Sequence, residues 1–245
     1  KKTRRNVLAY QGSLYYNPAK AQVRELIVNG VKEIVQNYDV DGIHMDDYFY
    51  PTFNSSNVNS AFDAKEYKAS TMGKHKNGIV AFRRQQVNAL VKAIHSAVKA
   101  TKPNVTFGIS PAGNIDNLTS KYSYYVDINK WLNSHDYVDY ICPQIYWGFK
   151  HPYAKFDRVT KRWMKAAKSK KVKVYIGIAV YRAGHNTGAS SSERREWRSD
   201  ANVLKKQVQY ARKKGCDGFA FFDYQDLKSK TSARAVKNLK KVLKR

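Results

Sequence analysis

Cysteine is scarce in this 245-residue chain: the two present, Cys142 and Cys216, are too few for a disulfide framework. Each is read as a small buried side chain rather than a nucleophile. The six histidines, at 44, 75, 95, 135, 151 and 185, form no HxxxH or HExxH pair, and no His/Cys cluster has zinc-ligand spacing. The expectation is therefore no metal and no cofactor. No GxGxxG or GxxxxGK turn marks a phosphate-binding loop, and no GxSxG elbow marks a serine nucleophile. No run approaches the ~18 apolar residues of a spanning helix, so no membrane span is expected.

Acidic residues are few as well. Nineteen Asp plus Glu stand against 45 Lys plus Arg, a net charge of +26. A field of that sign favours polyanions, anionic cell-wall polymers or nucleic acid among them. Nucleic acid is the weaker reading, because the basic residues are spread along helices (Lys161, Arg162, Lys165, Lys205, Lys206, Arg212) and no nucleic-acid module appears.

What is present is a repeated helix-to-strand step. Val23, Leu26, Ile27, Val31, Ile34, Val35 and Tyr38 share one helical face, with Asn17 as the expected N-cap and Pro18 at the first helical position. Strand-like runs are predicted at 41–48, 105–110, 138–147, 172–181 and 218–224, each after a helical segment. The best intervening helix carries Ile79, Phe82, Gln86, Val87, Leu90, Val91, Ile94 and Val98 on one face. Strands that end in polar or aromatic residues suit an α/β fold of (β/α)8 TIM-barrel type better than a doubly wound sheet. A full barrel needs eight strands in about 250 residues. Five are clear here, so the first two or three strands are expected to lie outside this chain. The chain opens KKTRRNVLAY, without an initiator methionine and with at most one short extended run, at 7–10. Residues 1–245 are thus read as a single catalytic barrel domain, a fragment of a longer protein, completed by an N-terminal segment or by a homo-oligomeric partner. Ser190 and Glu193 are spaced for a capping box.

The most informative segment is DGIHMDDYFYP, from Asp41 to Pro51. Side chains alternate along a strand, so Gly42, His44 and Asp46 share one face and Ile43, Met45 and Asp47 the other. Adjacent carboxylates at a strand end suit glycoside hydrolysis. That reaction uses one carboxyl as nucleophile or base and another as proton donor, about 5 to 9.5 Å apart. Asp46 is the favoured nucleophile or transition-state stabiliser, and its G-x-H-x-D spacing is similar to the fourth strand of α-amylase-like barrels. Asp47 is the rim acid or a supporting group. Tyr48 stands where a chitinase-like DGxDxDxE pattern would carry its acid, which disfavours that mechanism. The proton donor stays open: Asp223, in FFDYQD, is the first candidate and Asp116 a weaker one. Asp47, Asp116 and Asp226 fit loop or helix caps as well as they fit catalysis.

The run YICPQIYW places Gln144 and Tyr146 to bond sugar hydroxyls and Trp147 to stack on a pyranose face. Tyr181 and Tyr224 occupy corresponding strand ends. His44 and Tyr48 are further substrate-binding candidates, as is Arg83 for an acidic or N-acetylated sugar, although a solvated helix face accounts for Arg83 and Arg84 nearly as well.

These residues resemble the glycosyl hydrolase-like family 10, found on bacterial envelope proteins. The similarity runs through YYNPAKAQVRELIVNGVKEIVQNYDVDGIHMDDYFYP, FRRQQVNALVKAI, KPNVTFGISPAG, YVDINKWLNSHDYVDYICPQIYW, VYIGIAVYR and GCDGFAFFDYQDL. The resemblance implies a barrel whose fourth strand ends at Asp46 and Asp47. It also implies glycosidase activity on an envelope polysaccharide, foremost the peptidoglycan backbone, in an extracellular or wall-associated bacterial protein, with Gram-positive the favoured setting. SPAGNI replaces aromatics common in the family, and Asp223 stands where a serine is common; both bear on substrate choice. The competing expectation is a non-catalytic carbohydrate or wall-binding module on an incomplete barrel.

Overall fold

The computed structural model describes residues 5–74, 78–169 and 171–243, so His75 lies outside the described residues. Two compact units are formed. The first holds the chain up to Gly108 together with Ile115–Asp139, and the second holds Ile109–Asn114 and the chain from Tyr140 onward.

The first unit begins with an antiparallel hairpin, β1 (Val7–Tyr10) and β2 (Ser13–Tyr16), where the sequence suggested one extended run. Its two-residue turn, Gln11 at φ 49° and Gly12 at φ 77°, needs two left-handed residues in succession, which explains the glycine. Helix α1 (Ala21–Asn37) follows, then β3 (Gly42–Asp46), α2 (Ala64–Ala69), α3 (Ile79–Thr101), β4 (Thr106–Ser110), α4 (Ile115–Leu118) and α5 (Ile128–Leu132). The second unit carries β5 (Tyr140–Ile141), α6 (Phe156–Ala166), β6 (Lys173–Ala179), α7 (Ser191–Ser199), α8 (Val203–Lys213), β7 (Gly218–Phe222), α9 (Tyr224–Lys228) and α10 (Ala233–Leu243). Strand β4 is shared between the units after Gly108.

The five later strands form a parallel α/β sheet in the order β3-β4-β5-β6-β7, so spatial order follows chain order. Burial reflects position in it. In β4 the four residues from Phe107 onward are all buried, and β6 buries both faces from Ile176 onward. In β3 burial alternates residue by residue, with Gly42, His44 and Asp46 exposed and Ile43 and Met45 half-buried, the pattern of a strand covered on one face. Gly42 also keeps β3 close to its neighbour: a Cβ there would lie 2.6 Å from Thr106 Oγ1.

One device sets strand register in both units. In the first, Asp139 N–H donates to Phe107 O at 2.8 Å and the Asp139 carboxylate accepts from Phe107 N–H at 2.7 Å. In the second, Asp217 N–H donates to Val174 O at 2.8 Å and its carboxylate accepts from Val174 N–H at 2.8 Å. Each aspartate precedes a strand and clamps the first residues of the strand beside it, which fixes pairing before the ladder begins. Burial alone would raise the Asp139 carboxyl; the Lys99 ammonium at 2.8 Å and the Phe107 N–H overcome this and hold it below the usual carboxylate value.

Several predicted boundaries shift for identifiable reasons. The run 138–147 contains only two regular strand residues, because Pro143 has no N–H to continue the ladder. Gln144 then makes isolated parallel bridges to Ala112 and Gly177. Strand β6 stops at Ala179, and Tyr181 lies in a 3-10 turn, Val180–Arg182. Asn17 is not the N-cap of α1. Its Oδ1 accepts from Ala19 N–H at 3.1 Å, making a turn ahead of the helix, and its amide holds Arg5 O at 3.0 Å. The helix is capped at Lys20 instead. On α1 only Val23 and Val35 are fully buried, whereas Leu26, Ile34 and Tyr38 are 54%, 41% and 59% exposed, because α1 packs along one flank against α3. The capping box is half formed: Ser190 Oγ accepts from Glu193 N–H at 3.2 Å, but the Glu193 carboxylate turns to Gly148 and Ala189 N–H and to Trp197 Nε1.

Candidate functional site

In the first unit the site is built on the end of β3. Asp46 closes the strand on its exposed face, in line with Gly42 and His44. It lines a cavity of about 390 Å³ with Tyr16, Tyr48, Leu14, Met45 and Ile27. Among the described residues Asp46 is the one charged member of that lining, so a carboxylate stands in an apolar and aromatic wall. Tyr48 and Tyr16 are 76% and 54% exposed, open to a ligand beside it. Tyr16 comes from β2, the hairpin strand that sequence reading did not predict.

Asp47 takes the opposite course and is 2% exposed. Its charge reaches the phenol of Tyr124, which is raised by burial first and then by Asp47 and Tyr48. Tyr124 and Tyr125 hold left-handed backbone at φ 59° and 56°, a strained pair for non-glycine residues. Sequence reading passed over Tyr124, since neither its spacing nor its neighbours announce that bend.

Arg83 is placed far from the sugar-binding role expected of it. Its side chain is fully buried and paired with Asp63, with Nη2 to Oδ1 at 2.7 Å, while Nη1 donates to Tyr125 Oη at 2.8 Å. The guanidinium also lies 4.1 Å from the Phe53 ring centroid. Tyr50 and Phe53, from the loop after β3, close around it. Burial would lower the Arg83 pKa, but the Asp63 carboxylate raises it, so the charge is retained in the interior. The pair anchors the loop that follows Asp46 and Asp47. Arg84 reaches the Thr119 carbonyl instead. Asp116 opens the short α4 on an exposed turn.

In the second unit the strand ends carry rings. Tyr146 stacks on Phe222 with centroids 5.9 Å apart and 18° between planes, and Tyr181 meets both edge-on at 6.1 and 6.3 Å. Phe222 is 53% exposed, the open member of the trio, and the sequence reading had treated it as strand interior. Gln144 donates from Nε2 to Ser110 O at 3.0 Å, which orients its amide along the strand ends. Trp147 packs over Gly113, where a Cβ would lie 2.7 Å from its ring, and meets His151 at 5.9 Å. Tyr224 is not on a strand. It begins α9, 67% exposed, with the Lys228 ammonium 4.2 Å from its ring centroid.

Asp223 caps α9, its carboxylate accepting from Asp226 N–H at 3.1 Å. Asp226 is the carboxyl with the notable environment: burial and then the charge and hydrogen bond of Asp223 raise its pKa, opposed by His185.

The thiols are inert by environment. Burial raises Cys142 to about 12 and Cys216 to about 11, leaving both protonated at neutral pH. Among the described residues no group of three or more His, Cys, Asp or Glu is placed to hold a metal ion, and no helix is long and apolar enough to cross a membrane.

A family profile described as Glycosyl hydrolase-like 10 matches residues 1–199. The chain is 36% identical over 211 residues to Glycosyl hydrolase YngK of Bacillus subtilis (strain 168), covering 78% of this chain and 39% of that protein. It is 32% identical over 206 residues to Glycosyl hydrolase DigH of Escherichia coli (strain K12), covering 78% and 45%. The chain thus spans less than half the length of these curated relatives. Among solved structures, the PgaB (BpsB) glycoside hydrolase domain from Bordetella bronchiseptica has TM-score 0.60 at 11% identity, covering 95% of this chain and 67% of that one. Alpha-L-fucosidase isoenzyme 2 from Paenibacillus thiaminolyticus has TM-score 0.57 at 13% identity, covering 99% and 35%. At such identities the likeness shows fold alone: a TIM-barrel type, of which the five parallel strands here form part.

Proposed function

The chain belongs to the glycosyl hydrolase-like 10 family, and on that premise we propose that it is the catalytic barrel segment of a glycoside hydrolase acting on a bacterial envelope polysaccharide, foremost the peptidoglycan glycan backbone. The observation that carries this reading is the position of Asp46 at the end of β3, among the described residues the one charged side chain in an otherwise apolar and aromatic cavity wall. Such a wall strengthens the interaction of a carboxylate with the positive charge that develops on the sugar in the transition state. Asp46 is assigned as nucleophile or transition-state stabiliser, and Asp223, at the end of β7, stays the first candidate for the second carboxyl. Asp47, buried behind the strand end, supports the loop that carries Tyr48. Tyr146, Tyr181 and Phe222, with Gln144 and Trp147, are assigned to sugar binding, and His44, Tyr48 and Tyr224 to the margins of the same task. A net charge of +26 fits work among anionic wall polymers outside the cell.

A second reading has an observation of its own. Asp223 already serves as the N-cap of α9, which favours a wall-binding module without a competent acid. Release of reducing sugar from peptidoglycan, measured beside Asp46→Asn with sedimented-wall binding recorded in the same tubes, separates the two. The hydrolase reading predicts a loss of at least about 1,000-fold in release with binding retained. Binding by both proteins without release rejects hydrolysis by this chain and leaves the binding module.

A further inference from the structure

A cavity of about 810 Å³ lies in the second unit between α7, α8 and the loop after Gly148. It has no part in the strand-end site. Its floor is aromatic: Phe149 and Tyr210 meet edge-on at 6.2 Å, backed by Phe156, and the Lys214 ammonium lies 5.4 Å from the Tyr210 ring centroid. Lys150, Arg195 and Lys213 stand exposed around it, and among the described residues none of the three has an ion pair. Within it lie two carboxylates, Glu196 and Asp200, the latter paired with Lys206 at 2.7 Å.

The walls are set in advance. Glu196 accepts from Phe149 N–H at 3.2 Å and Lys150 N–H at 2.9 Å, and Glu193 accepts from Gly148 N–H at 3.1 Å, so two residues of α7 hold the loop against the helix. Gly148 is needed for that approach, since a Cβ would lie 2.2 Å from Glu196 Oε2.

We propose that this groove is a second glycan-binding site, taking a sugar chain that carries carboxylates at intervals. Ring faces suit the C–H side of a pyranose, the carboxylates accept hydroxyl hydrogens, and the three unpaired cations meet spaced acid groups. A continuous polyphosphate or nucleic-acid backbone fits poorly, because Glu196 and Asp200 would face its charges. The proposal is independent of hydrolysis and of Asp46.

The test is calorimetric titration of the whole chain with three probes: a hexasaccharide of alternating glucuronic acid and N-acetylglucosamine, the neutral N-acetylglucosamine hexamer, and inorganic polyphosphate of matched charge. The acidic sugar is expected to bind at least tenfold more tightly than either of the others. Arg195→Glu with Lys213→Glu, two exposed positions whose exchange should leave Tm unchanged, is expected to weaken it at least tenfold, whereas Asp46→Asn leaves it as it was. Equal binding of polyphosphate or of the neutral hexamer, no loss in the double variant, or loss in Asp46→Asn would each overturn the assignment.

Discussion

The two units start their strands alike and finish them differently. Asp139 and Asp217 make the same two-bond clamp at a strand start, one in each unit. At the opposite ends the first unit presents carboxylates, Asp46 and Asp47, and the second presents a ring trio, Tyr146, Tyr181 and Phe222. The lesson is a division of labour along each strand, with the N-terminal end fixing register and the C-terminal end presenting the candidate side chains, the end at which TIM-barrel folds generally carry their chemistry. The units also differ in how the ends are held. Behind Asp46 lies a buried ion pair among aromatics, Arg83 with Asp63, whereas the ring trio is held by mutual packing.

Breaking that ion pair should have the largest effect on stability. Arg83→Ala leaves Asp63 buried and unpaired and is expected to cost about 3–5 kcal/mol, read as a fall in the denaturant midpoint. The double variant Arg83→Met with Asp63→Leu should recover most of it, and a double variant as unstable as the single one would show that the aromatic cage, not the pair, holds the loop.

The two clamps provide a sharper comparison. Asp139→Asn should lose about 1–2 kcal/mol at neutral pH, since a charge-assisted bond and the Lys99 pair both go. The Asp139 carboxyl is held below its ordinary value in the fold, so its contribution is present above the unfolded carboxylate pKa and is lost as pH falls through the lower folded value. The stability gap between wild type and Asp139→Asn should therefore begin to close only below about pH 4 and shrink further as pH falls through the lower folded value, and a gap independent of pH would assign the effect to geometry alone. Among the described residues Asp217 forms no ion pair with a lysine, and Asp217→Asn should cost less, about 1 kcal/mol.

The smallest effect is expected at the open ring. Phe222→Ala should weaken binding to wall glycan by about 1 kcal/mol, roughly fivefold, with little change in Tm because half of the ring is exposed. An unchanged affinity would remove the trio from the binding surface and leave Tyr48 and Tyr16 as the aromatic contacts.

Much of this was legible in the chain. Helical periodicity located α3, because it buries an apolar stripe in which Val87, Val91, Ile94 and Val98 are all fully buried. Strand alternation separated Asp46 from Asp47, and the structure exposes the first and buries the second. Boundaries at Pro143 and Asp223 were displaced because both depend on backbone hydrogen-bond partners rather than on hydrophobic pattern.

The sequence by itself determined the α/β class, the strand order of candidate ends, the pair of unreactive thiols and the strong positive field, since all of these follow from residue type and from period along one chain. The tertiary structure alone decided that Arg83 is an interior ion-pair member, that Tyr16 and Phe222 stand open, and that the Asp226 carboxyl is raised by burial and by its neighbour Asp223. Burial, pKa and access are properties of what lies within a few ångströms, and those neighbours come from segments tens of residues away. Arg83 and Asp63 are 20 positions apart and share one hydrogen bond at 2.8 Å, a proximity no local pattern records.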